Sequence, residues 1–145
     1  MLFRSAATLG AEVETLLRRT QVRSMADAVI LDACAGAAIE NVCDNLCADI
    51  AAAVAPMYLT DRFSPGYGDL PLAQQDDLCR VLDVSRRIGV TLTEGGLMLP
   101  QKTVTAILGV SSEPPGERRR GCGTCGLYET CSYRKDGYTC GDHNP

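Results

Sequence analysis

Residues 24–56 decide the fold, and they read SMADAVILDACAGAAIENVCDNLCADIAAAVAP. Ser24 can cap a helix N-terminus, and Asp27 follows three residues later, as in a capping box. Pro56 stops the helical pattern. Between them, apolar residues recur at nearly helical spacing: Met25, Val29, Ile30, Ala33, Ala37, Val42, Leu46 and Ile50. The stretch therefore predicts one long helix from Met25 to about Val54.

Shorter elements are predicted on both sides of this helix. Before it, the sequence favours a strand over 2–9 and a helix over 11–19. After it come strands over 57–60, 90–93 and 103–110, and an amphipathic helix over 72–84 that carries Leu72, Leu78, Val81 and Leu82. Strands and long helices without regular βαβ alternation indicate an α+β fold. We expect long helices packed on a mostly antiparallel, twisted sheet, followed by a small cysteine-rich C-terminal tail.

Composition excludes several classes of protein. The chain has 145 residues, enough for one main domain, and a net charge of −4, which gives no support to nucleic-acid binding. No apolar run approaches the roughly 18 residues that would cross a bilayer. The N-terminus lacks the apolar core of an export signal, so we expect a cytoplasmic protein with reduced cysteines. The chain has a single histidine, in the tail, which argues against a hydrolase of the Ser-His or Cys-His type.

A second stretch, residues 62–71 (RFSPGYGDLP), carries the candidate binding residues. Pro65 fixes the backbone angle φ, and the glycines favour turns, so this stretch is a shaped loop rather than a helix. It places the guanidinium of Arg62 and the ring of Tyr67 beside a backbone that a ligand can approach closely. Such a loop suits a small zwitterionic ligand.

Further motifs follow this loop in a distinctive order: IGVTLTE at 88–94, MLP at 98–100 and KTVTAILG at 102–109. In this order the chain resembles the activation domain of vitamin B12-dependent methionine synthase, especially its small stand-alone versions. The shared signatures are R-x-x-x-G-Y, L-T-E, M-x-P and a final S/T-V-S/T strand, and the helical segment 31–40 is also similar. The resemblance covers roughly residues 5–110.

The resemblance implies a reactivation module for a cobalamin-dependent methyltransferase. In this family, cob(II)alamin on a corrinoid-binding protein or methionine synthase is reduced by a low-potential electron donor and methylated by S-adenosylmethionine. Carried onto this chain, Arg62 would bind the ligand's carboxylate, Tyr67 its cationic or adenine part, and Glu40 its ammonium. Pro65 and Gly66 would let the backbone approach the ligand. Whether the chain is itself an enzyme, or one part of a methyltransferase system, stays open.

Ordinary structural roles remain as alternatives at each position. Arg62 can form a surface ion pair, Tyr67 can cover the core beside a turn, and Glu40 or Glu94 can cap a helix or form a salt bridge. Compared with the family, we also expect the domain to be short at its N-terminus. The cysteines at 34, 43, 47 and 79 fall on predicted helices and are interpreted as small core residues.

The predicted organisation is an activation-like domain over 1–110, a linker over 111–120 and a cysteine-rich tail over 121–145. Four tail cysteines have spacing that can surround a metal ion: Cys122, Cys125, Cys131 and Cys140, with His143 close behind. Zinc and an iron–sulfur cluster fit these thiolates equally well. The alternative function is therefore a metal- or cluster-bearing module that docks on a corrinoid protein without binding S-adenosylmethionine.

Overall fold

The computed structural model describes residues 1–114 and 127–137 of the chain. The chain divides into two compact units, Met1–Pro114 and Pro115–Pro145. The elements of the first unit are, in order, β1 (Leu2–Thr8), α1 (Ala11–Arg23), α2 (Met25–Val54), β2 (Tyr58–Leu59), α3 (Gln74–Leu82), α4 (Val84–Ile88), β3 (Thr91–Leu92), β4 (Met98–Leu99) and β5 (Thr103–Ser111). In the second unit the described residues form one short helix, α5 (Ser132–Lys135).

The boundary predicted at 120 lies outside the described residues, and the divisions at 110 and 120 both stay predictions. Among the described helices, none has the length and apolar character needed to cross a membrane.

The long helix α2 has the bounds that its sequence predicts. The hydroxyl of Ser24 accepts the backbone N–H of Asp27 at 3.3 Å, which satisfies one of the free donors at the helix start. The N–H of Ser24 in turn donates to the carbonyl of Thr20 at 2.8 Å. Ser24 thus caps the end of α1 and the start of α2. Helix α1 extends to Arg23, four residues beyond its predicted end.

Strand β5 is the centre of a three-stranded antiparallel sheet with the order β1-β5-β2. β1 pairs with β5 over its full length, from Leu2 opposite Gly109 to Thr8 opposite Thr103. β2 pairs with the end of β5, and β3 and β4 form a separate antiparallel hairpin. The predicted α+β class with an antiparallel sheet is confirmed.

Helices cover both faces of this sheet. Thr105 and its neighbour across the strands, Ala6, point towards α3 and α4, where Ala6 packs against a buried cluster of Cys79, Val84 and Val90. The alternate residue Leu108 of β5 is 1% exposed and points to the opposite face. That face is covered by α2, which contacts both β1 and β5. The sheet therefore lies between two helical layers.

The apolar spacing indicates the long helix correctly but not its buried face. Met25, Val29 and Ile30 are exposed, as are three further residues of the same pattern: Ala33, Ala37 and Val42. The residues of α2 that are buried are Ala28, Ala35, Ile39 and Cys43. Two of these are alanines and one is the bulky Ile39, while Met25, Val29 and Ile30 face solvent.

The predicted helix over 72–84 is instead two helices. Asp83 takes the left-handed conformation, with φ 51° and ψ 44°, and separates α3 from α4. Asp tolerates this conformation better than most residues, because its short polar side chain can bond locally. Leu72 lies before α3, and both it and Val81 are exposed, contrary to the amphipathic pattern.

The prediction that the helical cysteines are core residues holds for Cys43 and Cys79, which are buried. It is wrong for Cys34, which is exposed.

Candidate functional site

A cleft of about 700 Å³ lies where the 62–71 loop meets α2, α3 and the last two strands. Four of the five predicted ligand-binding residues line it: Glu40, Arg62, Pro65 and Tyr67. Gly66 belongs to the same loop but is not part of the lining. Glu94 lies outside this cleft, on a smaller neighbouring cavity. The structure thus brings residues 22 positions apart, Glu40 and Arg62, into one site.

The loop is held in place by backbone hydrogen bonds. Phe63 and Ile107 exchange two N–H to carbonyl bonds of 2.9 and 2.8 Å, which tie the loop to the middle of β5. Further along, the N–H of Gly66 donates to the carbonyl of Leu70 at 2.9 Å. Pro65 is buried, and Gly66 has a φ of 92°, a conformation that side chains disfavour. Arg62 and Tyr67 therefore project from a fixed backbone.

The guanidinium of Arg62 is held by two carboxylates of α2. One nitrogen lies 2.8 Å from an oxygen of Glu40, and the other lies 2.7 Å from an oxygen of Asp44. Glu40 and Asp44 share a helix face because they are four residues apart. The ion pair that the sequence left as an alternative role for Arg62 is present, and Asp44 is a partner that sequence reasoning missed.

Arg62, Glu40 and Asp44, here called the Arg62 cluster, together carry an excess of negative charge. Burial disfavours the charged guanidinium, but hydrogen bonds from Arg62 to Asp44 and Cys47 hold the pKa of Arg62 above its ordinary value. The arginine side chain is only 23% exposed, whereas Glu40 is 60% and Asp44 70% exposed. Two accessible carboxylates around one arginine leave a net negative site, which favours a ligand with net positive charge.

Tyr67 stands at the rim of the cleft and is 70% exposed. Its backbone is fixed by bonds to Ser64 and Leu70 within the turn. The alternative prediction, that this tyrosine covers the core, is therefore wrong. An exposed ring beside a cleft can lie against a cationic or planar group of a ligand.

The floor of the cleft contains a buried amide, which sequence reasoning did not identify. Gln75 of α3 is 4% exposed, and its Nε2 donates to the hydroxyl of Thr105 at 2.7 Å. The same nitrogen lies near the sulfur atoms of Met98 and Cys79. A signal was available: Gln75 shares the buried stripe of α3 with Leu78 and Cys79, at positions i, i+3 and i+4.

Of the four predicted metal ligands, Cys131 is the one within the described residues. Its sulfur accepts the backbone N–H of Arg134 at 3.4 Å, at the start of α5, and the guanidinium of Arg134 lies 4.0 Å from the ring centre of Tyr128. Cys122, Cys125, Cys140 and His143 lie outside the described residues. Within residues 1–114 and 127–137, no group of three His, Cys, Asp or Glu side chains is placed to hold a metal ion.

Comparison with protein families matches the model for the vitamin B12 dependent methionine synthase activation domain over residues 14–115. The chain belongs to this family. The match extends from within α1 to just beyond β5, so the activation-domain sequence includes α2, the 62–71 loop and every residue of the cleft. A comparison with curated proteins gave no match for this activation domain.

Proposed function

We propose that this activation domain binds S-adenosylmethionine in the 700 Å³ cleft and supports reactivation of a cobalamin-dependent methyltransferase of the methionine synthase type. Family membership supports the reactivation role. The observation that carries the choice of ligand is the Arg62 cluster, in which one cation and two carboxylates meet beside an exposed tyrosine.

The charges of the cleft suit this ligand. S-adenosylmethionine carries a carboxylate, an ammonium and a sulfonium, and so has a single net positive charge at neutral pH. The guanidinium of Arg62 can bind the carboxylate, and Glu40 can bind the ammonium. Binding would then exchange the contact between Arg62 and Glu40 for two contacts with the zwitterion. The exposed ring of Tyr67 can lie against the sulfonium or the adenine.

The proposed methyl transfer requires a correctly positioned ligand more than it requires acid or base groups. A sulfonium supplies an activated methyl group, and the methyl acceptor is the reduced corrinoid on a partner protein, after a low-potential donor has supplied the electron. No proton needs to move at the cleft for such a displacement. The loop bonds to β5 and the buried amide of Gln75 would keep the ligand's reactive centre at a constant position.

Titration calorimetry with S-adenosylmethionine tests the proposal directly. The wild type is expected to bind, and Arg62→Ala is expected to bind at least about tenfold more weakly, because a charge-assisted pair to the carboxylate is lost. Arg80→Ala is the matched control, since Arg80 is an exposed, ion-paired arginine on α3 outside the cleft. Absence of binding to the wild type would overturn the function, and binding that survives Arg62→Ala would overturn the site.

The second candidate is a metal- or cluster-bearing module that docks on a corrinoid protein without binding S-adenosylmethionine. One observation favours it: both terminal nitrogens of Arg62 already have carboxylate partners, so no ligand is required to satisfy this arginine. A wild type that fails to bind S-adenosylmethionine but binds a corrinoid protein in pull-down assays would select this candidate.

A further inference from the structure

β1 has one strand neighbour in the part of the chain that the structure describes. It pairs with β5 along Leu2–Thr8, and no described strand lies along its other side. An edge of seven residues presents a row of backbone N–H and carbonyl groups that can pair with another chain.

A cavity of about 540 Å³ lies across this free edge. It contacts three consecutive residues of β1, Arg4 to Ala6, whose side chains alternate between the faces of the sheet. It also contacts both helical layers: Leu46 and Ile50 of α2 on one side, and Val84 and Ile88 of α4 on the other. Since β5 occupies the inner side of β1, a cavity that reaches both layers must cross the outer edge.

The walls of the cavity are mainly aliphatic, and two arginines lie at it, Arg4 and Arg87. Both are exposed, and neither has a carboxylate partner among the described residues, whereas the adjacent Arg86 pairs with Asp83 at 2.8 Å. In a chain with a net charge of −4, this edge is thus a local cationic, apolar surface.

We propose that the β1 edge is a docking site for an extended segment of a partner protein, with an apolar side chain in the 540 Å³ cavity and acidic residues beside Arg4 and Arg87. The backbone of the segment would pair with β1 as an added strand, and the cavity would select its alternate side chains. This site shares no lining residue with the Arg62 cleft.

Charge favours an acidic segment over a second copy of the chain as the occupant. Two β1 strands paired edge to edge would gather Arg4 and Arg87 of both copies along one narrow seam. Like charges that face each other across strands are destabilising, whereas an acidic segment neutralises them.

Fluorescence anisotropy with the labelled peptide Thr-Glu-Val-Asp-Leu-Glu-Thr tests the site on the full-length protein. The wild type is expected to bind it, and each of Arg4→Glu and Arg87→Glu to weaken binding about fivefold, the effect of an exposed ion pair. Arg23→Glu, an exposed arginine of α1, controls for the change in net charge. The double variant Arg4→Glu/Arg87→Glu is expected to prefer the same peptide with lysines at its acidic positions.

Amide hydrogen exchange supplies a readout that charge alone does not move. Peptide binding is expected to slow exchange within Leu2–Thr8. A peptide with proline in place of its leucine is expected to bind more weakly, because it lacks a backbone donor. Binding without protection of β1, or equal binding to the control and edge variants, would overturn strand addition. A concentration-dependent dimer in light scattering that Arg4→Glu abolishes would also overturn the choice of occupant.

Discussion

The side-chain amide of Gln75 donates a 2.7 Å hydrogen bond to the hydroxyl of Thr105, beneath the cleft that holds Arg62. Both residues are almost fully buried, at 4% and 2% exposure. The bond joins α3 to β5, the strand that also anchors the 62–71 loop through Ile107. The packing of α3 and the position of the binding loop therefore depend on the same strand.

Thr105→Val should lower the free energy of unfolding by about 1–3 kcal/mol, because it leaves a buried amide donor without its oxygen acceptor. Urea denaturation measures the free energy of unfolding of the variant and of the wild type. Thr91→Val, at an exposed position of β3, is the control and should change stability by less than about 0.5 kcal/mol. If the two substitutions cost the same, the sulfur atoms near Gln75 are sufficient partners for its amide.

Glu40→Gln should weaken S-adenosylmethionine binding about fivefold, on the proposal that Glu40 faces the ligand's ammonium in a partly exposed site. Asp49→Asn, an exposed carboxylate on α2 outside the cleft, should leave affinity unchanged. Calorimetry at low salt is the measurement. Tighter binding by Glu40→Gln would show that Glu40 acts mainly as a competitor for Arg62.

Gly66→Ala should destabilise the domain by about 1–2 kcal/mol, because Gly66 has a φ of 92° that L-residues disfavour. The added methyl group would also lie 3.4 Å from Leu72. Gly95→Ala is the matched control: its φ is not positive, and the nearest atom to its new methyl group is 3.9 Å away. Thermal unfolding of both variants is the measurement. A larger loss of stability in Gly66→Ala than in Gly95→Ala would show that the backbone conformation of Gly66 is the cause.

Local signals in the sequence mark the ends of some elements. Ser24 and Pro56 mark the ends of α2, and Gly89 ends α4 in the left-handed conformation that its position indicates. The buried face of α2 could not be predicted in this way, because it depends on where α1 and the strands pack against the helix. Tertiary packing buries Ala28 and Ala35 and leaves the larger Val29 and Ile30 exposed.

In the candidate site, too, the local motif was predictable from the sequence and the tertiary contacts were not. The 62–71 motif identifies Arg62, Pro65 and Tyr67, and these do line one cleft. The pairing of Arg62 with Asp44 is a tertiary contact across 18 residues, with no signal in the loop itself. The helical spacing of Asp44 from Glu40 was the available clue, since residues four apart on a helix share a face.

Cys43 should make stability decline at alkaline pH. Burial raises the pKa of this thiol above its ordinary value of 9.0, and the charge of Arg62 offsets only part of that effect. The native state then keeps its proton where the unfolded state has lost it, so the free energy of unfolding falls as pH rises above about 9 towards the native pKa. The difference between wild type and Cys43→Ala, followed by urea denaturation from pH 7 to 10.5, isolates this contribution. A difference that is independent of pH would contradict it.

The tail cysteines should bind about one metal ion or one cluster per chain, if the spacing of Cys122, Cys125, Cys131 and Cys140 has the role that we propose. Cys131 already accepts the N–H of Arg134, a contact that would stabilise a thiolate ligand. Cys131→Ser should therefore lose the bound metal, while Cys34→Ser, at an exposed cysteine of α2, should retain it. Elemental analysis after anaerobic purification gives the stoichiometry, and a visible spectrum separates a coloured iron–sulfur cluster from colourless zinc. A wild type that is colourless and metal-free under these conditions would leave the four cysteines as free thiols.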